Sequence, residues 1–198
     1  MIITGADSKC EWLLPWWYGN FKKHNNLEVT ICDFGLSEKA LNWCEKKNLK
    51  VQKVGGGKGW HLKPSALRSV NAKKRIWIDV DIEIRGSIKE IYNYIEENKL
   101  ATSLDEFHSW GCKYQTGIVG VQDDPEILQL WEKSCKNPTG PYARGDQELL
   151  WELVQDENRF HAWNQADVIS NIPLNFNWLR ISVEKKNLPE DLRAIHWT

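Results

Sequence analysis

Two aspartates, Asp79 and Asp81, close the apolar run RIWIDVDI with one residue between them. In an extended strand alternate side chains share a face, so both carboxylates are expected on one side, with Val80 and Ile82 on the other. Two carboxylates a few ångströms apart repel, and each rises in pKa unless a cation lies between them. A hard divalent ion, Mg²⁺ or Mn²⁺, suits the pair and can also take oxygens from a diphosphate. The plainer alternative is one aspartate solvated at a strand end and the other capping a turn. Position favours the cation. The preceding residues form the most strongly apolar strand of the chain, as expected at the centre of a sheet covered on both faces, and ligands of α/β sheets bind beyond the carboxyl ends of such strands.

The elements that must hold this pair alternate in type. Residues 1 to 5 read as a strand. Ser8 and Glu11 have capping-box spacing for a helical stretch to about His24, restarted at Pro15. Val29 to Phe34 is a second strand, and Ser37 caps the next helix. Lys50 to Val54 is a third strand, followed by the loop GGGKGWHLKP, with Pro64 opening a short helix to Val70. After the strand Arg75 to Ile82, Ser87 and Glu90 repeat the capping box. Ile88, Ile91, Tyr92 and Ile95 then fall at helical spacing. Leu100 to Leu104, Gly117 to Val121 and Val168 to Ile172 read as further strands, with helices after Pro125 and Asp146. The last 25 residues are expected to fold back over the sheet. This alternation predicts one α/β domain over residues 1–198.

Composition sets outer limits. With 198 residues, 41% hydrophobic and 27% charged, the chain is ordinary for a globular protein, which excludes disorder, collagen and coiled coil. A core of this size buries about 70% of the unfolded surface without disulfides or a structural metal. The formal charge of −1, with both signs mixed along the chain, offers no field to a polyanion, so nucleic-acid binding is not expected. The apolar WLLPWWY is short and broken by Pro15 and the stretch MIITGADSKCEW is not basic, so neither a membrane span nor a secretory leader is expected. Five cysteines without a C-x-x-C pair suggest reduced thiols in a cytoplasmic protein. Twelve tryptophans are far above ordinary use. Most are expected in the core, with a few stacking on planar or sugar rings.

The run RIWIDVDIEIRG resembles the D-x-D segment of nucleotide-sugar-dependent glycosyltransferases of the GT-A fold, whose aspartates hold the metal bridging the donor diphosphate. ITGAD at 3 to 7 resembles their first-strand loop, YQTGIVGVQ at 114 to 122 their "N-x-G" strand, and GDQELL at 145 to 150 their acidic segment opening a helix near the acceptor. The closing AIHWT is similar to the late metal-binding histidine of glycosyltransferase family eight, and the whole is similar to the compact glycosyltransferases of large algal viruses, which would place it in the host cytoplasm. Gln115 and Thr116 stand where Asn and a small residue are usual, and the family-eight Gly and Lys-Pro-Trp around the histidine are absent.

The resemblance implies a mixed, mostly parallel Rossmann-like sheet with helices on both faces. It also implies a UDP-hexose or similar nucleotide-sugar donor, and a carbohydrate or other hydroxyl acceptor. His196 would join Asp79 and Asp81 as a metal ligand, and a neutral imidazole makes Mn²⁺ the preferred ion over Mg²⁺; otherwise His196 is a surface or core histidine. Thr4, Gly5, Ala6 and Asp7 would let main chain approach a base or ribose, and Asp33 could accept from a pyrimidine N–H. Locally, Asp7 can instead cap with Ser8, and Asp33 can open the turn DFG. The glycine-rich 55–59 stretch lacks the P-loop pattern and suits either a lid carrying Trp60, His61 and Lys63 or a plain mobile loop. Lys63, next to Pro64 at a helix start, is the best single candidate for a phosphate contact. Asp146 would face the anomeric carbon as base or orienting group, or else cap its helix. Gln147 would bind sugar hydroxyls, and Asp105 could do the same. The rival readings are a metal-dependent nucleotidyltransferase or phosphatase, which D-x-D alone also fits, and a non-catalytic carbohydrate-binding module, suggested by the tryptophans.

Overall fold

The computed structural model describes residues 1–56, 59–107, 111–139, 145–155 and 165–197. Residues 57 and 58 of the expected lid lie outside this set. The strands are β1 (Ile2–Ala6), β2 (Val29–Asp33), β3 (Lys50–Lys53), β4 (Lys74–Ile78), β5 (Ile82–Ile84), β6 (Leu100–Leu104), β7 (Tyr114–Gln122), β8 (Ile169–Asn171), β9 (Trp178–Leu179) and β10 (Ala194–His196). Seven of them form a sheet in the order β3-β2-β1-β4-β7-β6-β8. Strand β7 is antiparallel to both neighbours and every other pairing in that sheet is parallel, which is the mixed, mostly parallel sheet expected.

Strand alternation divides the core into two layers. Ile2, Ile31, Ile76 and Ile78 face Leu14, Trp17 and Phe21 of α1 (Leu14–His24) and Cys44 of α2 (Glu38–Lys46). Ile3, Cys32, Trp77 and Val119 face the other way. They pack on Ala66 and Leu67 of α3 (Lys63–Ser69), Trp131 of α4 (Glu126–Lys136) and Leu149 and Leu150 of α5 (Asp146–Gln155). Two further short helices are α6 (Gln165–Val168) and α7 (Arg180–Lys185), and 3-10 turns include Glu11–Leu13, Gly59–Leu62 and Leu174–Phe176.

The chain end packs against the main sheet, with Phe176 and Ala194 in the same core layer as Ile76 and Ile118 and His196 against Gly117. It builds a second, three-stranded sheet in the order β5-β10-β9, in which β10 pairs antiparallel with β5 and sets His196 opposite Ile82.

Several local expectations are corrected. The Ser8–Glu11 box does not close, because the Glu11 carboxylate reaches across to Ser37 N–H at 2.7 Å and Ser37 Oγ at 2.5 Å. The stretch after Ser87 is a 3-10 helix over Lys89–Tyr94, not an α-helix. Its entry is held by Asn25, whose Oδ1 accepts from Ile88 N–H at 3.0 Å, and Ile88 and Ile91 at i, i+3 share a buried face in either helix type. Of the described tryptophans only Trp17, Trp77 and Trp131 are fully buried, whereas Trp12, Trp16, Trp60 and Trp197 are exposed, because an indole is too large to be enclosed at every layer edge.

Candidate active site

Strand β4 stops at Ile78, and residues 79–81 form a turn closed by the Ile82 N–H donating to the Asp79 carbonyl at 3.2 Å. Strand alternation therefore does not carry through to Asp81. Asp79 N–H still reaches the Gly117 carbonyl of β7 at 2.8 Å, while the Asp81 carbonyl accepts from Trp197 N–H at 3.2 Å. The chain thus leaves one sheet and enters the other between the two aspartates, and the turn, not the pleat, brings their side chains together.

The same pairing returns His196 from the far end of the sequence. Asp79, Asp81 and His196 each offer a ligand atom within 4.8 Å of the others, a group able to hold a metal ion. His196 Nε2 is 3.5 Å from Asp81 Oδ1 and 3.9 Å from Asp79 Oδ2, too far for firm hydrogen bonds. Both ring nitrogens are buried and have no hydrogen-bond partner among the described residues. Orphaned imidazole nitrogens beside two carboxylates fit a cation better than they fit a settled core histidine. Burial pushes the Asp79 carboxyl up, with Asp81 and Asp146 adding to the rise against Lys63. Burial also pushes the Asp81 carboxyl up, but His196 outweighs it and leaves Asp81 below the usual carboxylate range.

Lys63 is a buried bridge. Its ammonium lies 3.1 Å from Asp79 Oδ1 and 3.0 Å from Asp146 Oδ2, and donates to the Thr116 carbonyl at 2.7 Å. Burial lowers the lysine pKa, but Asp146 and Asp79 outweigh it and hold the amine above its ordinary value. An ammonium has three donors, and Asp79 Oδ2 at 3.2 Å, the Thr116 carbonyl and Thr116 Oγ1 at 3.3 Å engage them all, while Asp146 is held by charge. A phosphate would have to displace one, so the sequence picture of Lys63 as an open phosphate contact gives way to a clamp between β4, β7 and α5.

Asp146 pairs with Lys63, and its main-chain carbonyl accepts from Trp131 Nε1 at 2.8 Å. Gln147 Nε2 donates to Asp105 Oδ2 at 3.3 Å, and Asp105 Oδ1 accepts from Phe107 N–H at 3.0 Å. The two residues expected separately on sugar hydroxyls are therefore in contact, with Asp105 steering Gln147.

A cleft of about 330 Å³ opens beside this cluster, lined among others by Gly5, Ala6, Asp7, Phe34, Trp60, Lys63, Trp77, Asp79 and Asp81. The expected first-strand group divides here. Thr4 is fully buried in β1 and does not line the cleft. A β-carbon at Gly5 would meet the Phe34 ring at 2.9 Å, so the space left by this glycine is filled by Phe34. Asp7 faces the cleft while its Oδ1 accepts from Lys9 N–H at 2.9 Å. Asp33 is outside the lining, and its Oδ1 closes a turn by accepting from Gly35 N–H at 2.8 Å and Leu36 N–H at 2.7 Å.

The YQTG segment supplies contacts that sequence reading missed. Gln115 Oε1 accepts from buried Asn177 at 2.9 Å, Thr116 anchors Lys63, and Gly117 lies against His196. Its alternation between two faces was readable, but its partners come from distant segments. Trp77 was readable only as an apolar strand residue, though its Nε1 donates to Asp79 Oδ1 at 2.5 Å.

Solved structures share this architecture. GlyE, a glycosyltransferase of Streptococcus pneumoniae TIGR4, superposes with a TM-score of 0.68 at 14% identity, over 100% of this chain and 54% of that one. The galactosyltransferase LgtC, in complex with donor and acceptor sugar analogues, gives 0.60 at 12% identity, over 99% of this chain and 86% of its own. The bifunctional glycosyltransferase WbbM gives 0.64 at 11% identity, over 100% and 45%. The fold is GT-A. The chain spans about half the length of GlyE. No family model matches the sequence. Vesicle-associated protein 1-4 of Arabidopsis thaliana is 24% identical over 143 residues, which are 66% of this chain and 24% of that protein. In this GT-A chain the acidic cluster stands beyond the end of β4, beside the cleft, and among the described residues no helix is long and apolar enough to cross a membrane.

Proposed function

We propose that the chain transfers a hexose from a nucleotide-diphosphate sugar, UDP-hexose in the first instance, to a hydroxyl of a glycan or other acceptor. The observation that carries this reading is the Asp79, Asp81 and His196 group at the lip of a cleft in a GT-A fold. These three residues would hold the cation, and two carboxylate oxygens with one imidazole favour Mn²⁺ over Mg²⁺. Such an ion, when bound, offsets charge on a leaving diphosphate.

The other residues take roles from their positions. Gly5, Ala6 and Asp7 line the part of the cleft open to a nucleotide, with the Phe34 ring beside them. Asp146, buried at the start of α5 and held 3.0 Å from Lys63, would orient the donor sugar or accept the acceptor proton. Gln147, steered by Asp105, would hydrogen-bond sugar hydroxyls. Binding of acceptor and donor together would keep water from the anomeric carbon, so that transfer outruns hydrolysis.

Calorimetry tests the reading. UDP should bind only with Mn²⁺, and Asp79→Ala or Asp81→Ala should abolish binding while the thermal transition survives. Tight binding of UDP without metal would overturn the mechanism. Product analysis separates the rivals: glycosyl transfer or slow donor hydrolysis releases intact UDP, whereas nucleotidyl transfer releases pyrophosphate or a sugar phosphate. A binding module would take free sugar without metal or nucleotide.

A further inference from the structure

We propose that Trp77 is a positioning residue for the cation site: its indole N–H fixes the Asp79 carboxylate so that Oδ2 is the oxygen presented to the ion. The inference rests on the metal reading above and names a residue that reading does not use. Asp79 Oδ1 accepts from Trp77 Nε1 at 2.5 Å and lies 3.1 Å from the Lys63 ammonium. The indole is the hydrogen-bond donor to that oxygen, with the ammonium close beside it. Oδ2 receives Lys63 at 3.2 Å and is the oxygen that looks toward His196 Nε2, at 3.9 Å. A carboxylate held by an indole N–H on one oxygen and by an ammonium on the other can turn only by breaking charge-assisted hydrogen bonds, so the face that Oδ2 shows to His196 is preorganised.

The indole is itself fixed. Trp77 is 2% exposed, and its ring stacks on Phe34 with centroids 5.9 Å apart and planes 14° from parallel. Phe34 can take that position because Gly5 has no side chain in its way. Trp77 precedes Asp79 by two residues, so the end of β4 puts both side chains on one face and Nε1 beside Oδ1. A buried indole N–H needs an acceptor, and the cation-site carboxylate is the one it has.

Mn²⁺ binding to the full chain without nucleotide, followed by calorimetry and by the loss of the free-ion paramagnetic resonance signal, tests this directly. Trp77→Phe keeps an aromatic ring and removes the N–H. Replacing Trp77 by β-(3-benzothienyl)alanine keeps the bicyclic shape and exchanges N–H for sulfur, so it stays informative if the smaller ring fails to fold. Both should weaken Mn²⁺ by about 10- to 100-fold, the range seen when a partner of a metal ligand is removed. Val119→Ala, in the cross-strand neighbour of Trp77 in the same core layer, should lower the melting temperature and leave Mn²⁺ affinity unchanged. Unchanged affinity in the benzothienyl variant overturns the inference alone, and so does an equal loss in Val119→Ala, which would mark a packing effect. A wild-type chain that binds no Mn²⁺ overturns the metal reading and this inference with it.

Discussion

Gly117 and His196 are in contact so close that no side chain fits between them: a β-carbon at 117 would stand 2.5 Å from His196 Cε1 and 2.6 Å from Nδ1. The glycine in β7 is therefore the seat of the imidazole, and the main-chain carbonyl of the same residue holds Asp79 N–H at 2.8 Å. Replacing glycine by alanine within a strand ordinarily stabilises by about 0.5–1 kcal/mol through backbone entropy. Here Gly117→Ala must displace the ring from its present place beside Asp79 and Asp81. The expected outcome is at least a tenfold loss of Mn²⁺ affinity without a gain in melting temperature. Titration calorimetry beside a thermal melt checks both.

Lys63 holds two carboxylates at once, which makes its removal asymmetric. Lys63→Met leaves Asp79 and Asp146 with their shared cation gone from a buried position, a change that typically costs ~3–5 kcal/mol. Asp146→Asn leaves Lys63 still paired with Asp79 at 3.1 Å and keeps a neutral acceptor near the amine. It should cost clearly less stability by urea unfolding, yet under the proposed function it should lower turnover by more than tenfold with little change in donor affinity. Equal losses of stability in the two variants would make Asp146 a structural partner and nothing more.

How much of this could be read beforehand follows from where each contact comes from. The D-x-D pair was legible because an apolar run ending in two acids has few structural uses, yet its geometry was misread. The turn at Val80 depends on Ile82 pairing with His196, more than a hundred residues away. His196 was nameable from a resemblance but not from spacing, for the same reason. Lys63 was seen as a cation at a helix start, whereas its partners Asp79, Thr116 and Asp146 meet only once α3, β4, β7 and α5 are packed. The capping box at Ser8 failed because Glu11 found a partner in Ser37 from another segment, and at Ser87 the side-chain oxygen accepts from Lys89 N–H at 3.4 Å instead of from Glu90. Local rules described the strands well because their apolar alternation is fixed by one buried sheet; side-chain polar partners were decided by tertiary packing.

Acid stability provides a separate check, away from the cleft. Glu132 of α4 accepts from Ser65 Oγ at 2.7 Å, pairs with Lys136 at 2.9 Å and is contacted by Arg68. Burial pushes its carboxyl up, but these hydrogen bonds and the Arg68 charge outweigh burial and leave it below the usual glutamate value. A carboxyl with a lower pKa in the folded than in the unfolded chain adds stability above its unfolded value, near 4.5. That contribution is lost as pH falls through the folded value. Glu132→Gln should therefore be less stable than wild type at pH 7, and the gap should narrow as pH drops below about 4.5. A gap that stays constant from pH 7 to pH 3, followed by urea unfolding, would show that the ion pairs contribute nothing through linkage.

Trp60 is the aromatic surface the cleft leaves open. It is 61% exposed while lining the same space as Asp79 and Lys63, and its Nε1 lies 3.6 Å from where a β-carbon on Gly145 would stand, next to Asp146. A base or sugar ring entering the cleft can cover that indole. Stacking of this kind is worth roughly 1–3 kcal/mol by alanine substitution, so Trp60→Ala should weaken UDP-sugar binding in the presence of Mn²⁺ by about 5- to 150-fold. Trp60→Phe should recover part of the loss. Saturating donor should also shift tryptophan emission to the blue in wild type as water leaves the ring, and Trp60→Phe should remove most of that shift. If the shift persists in Trp60→Phe, another of the exposed indoles is the one covered, and Trp60 is a surface residue of the 3-10 helix Gly59–Leu62.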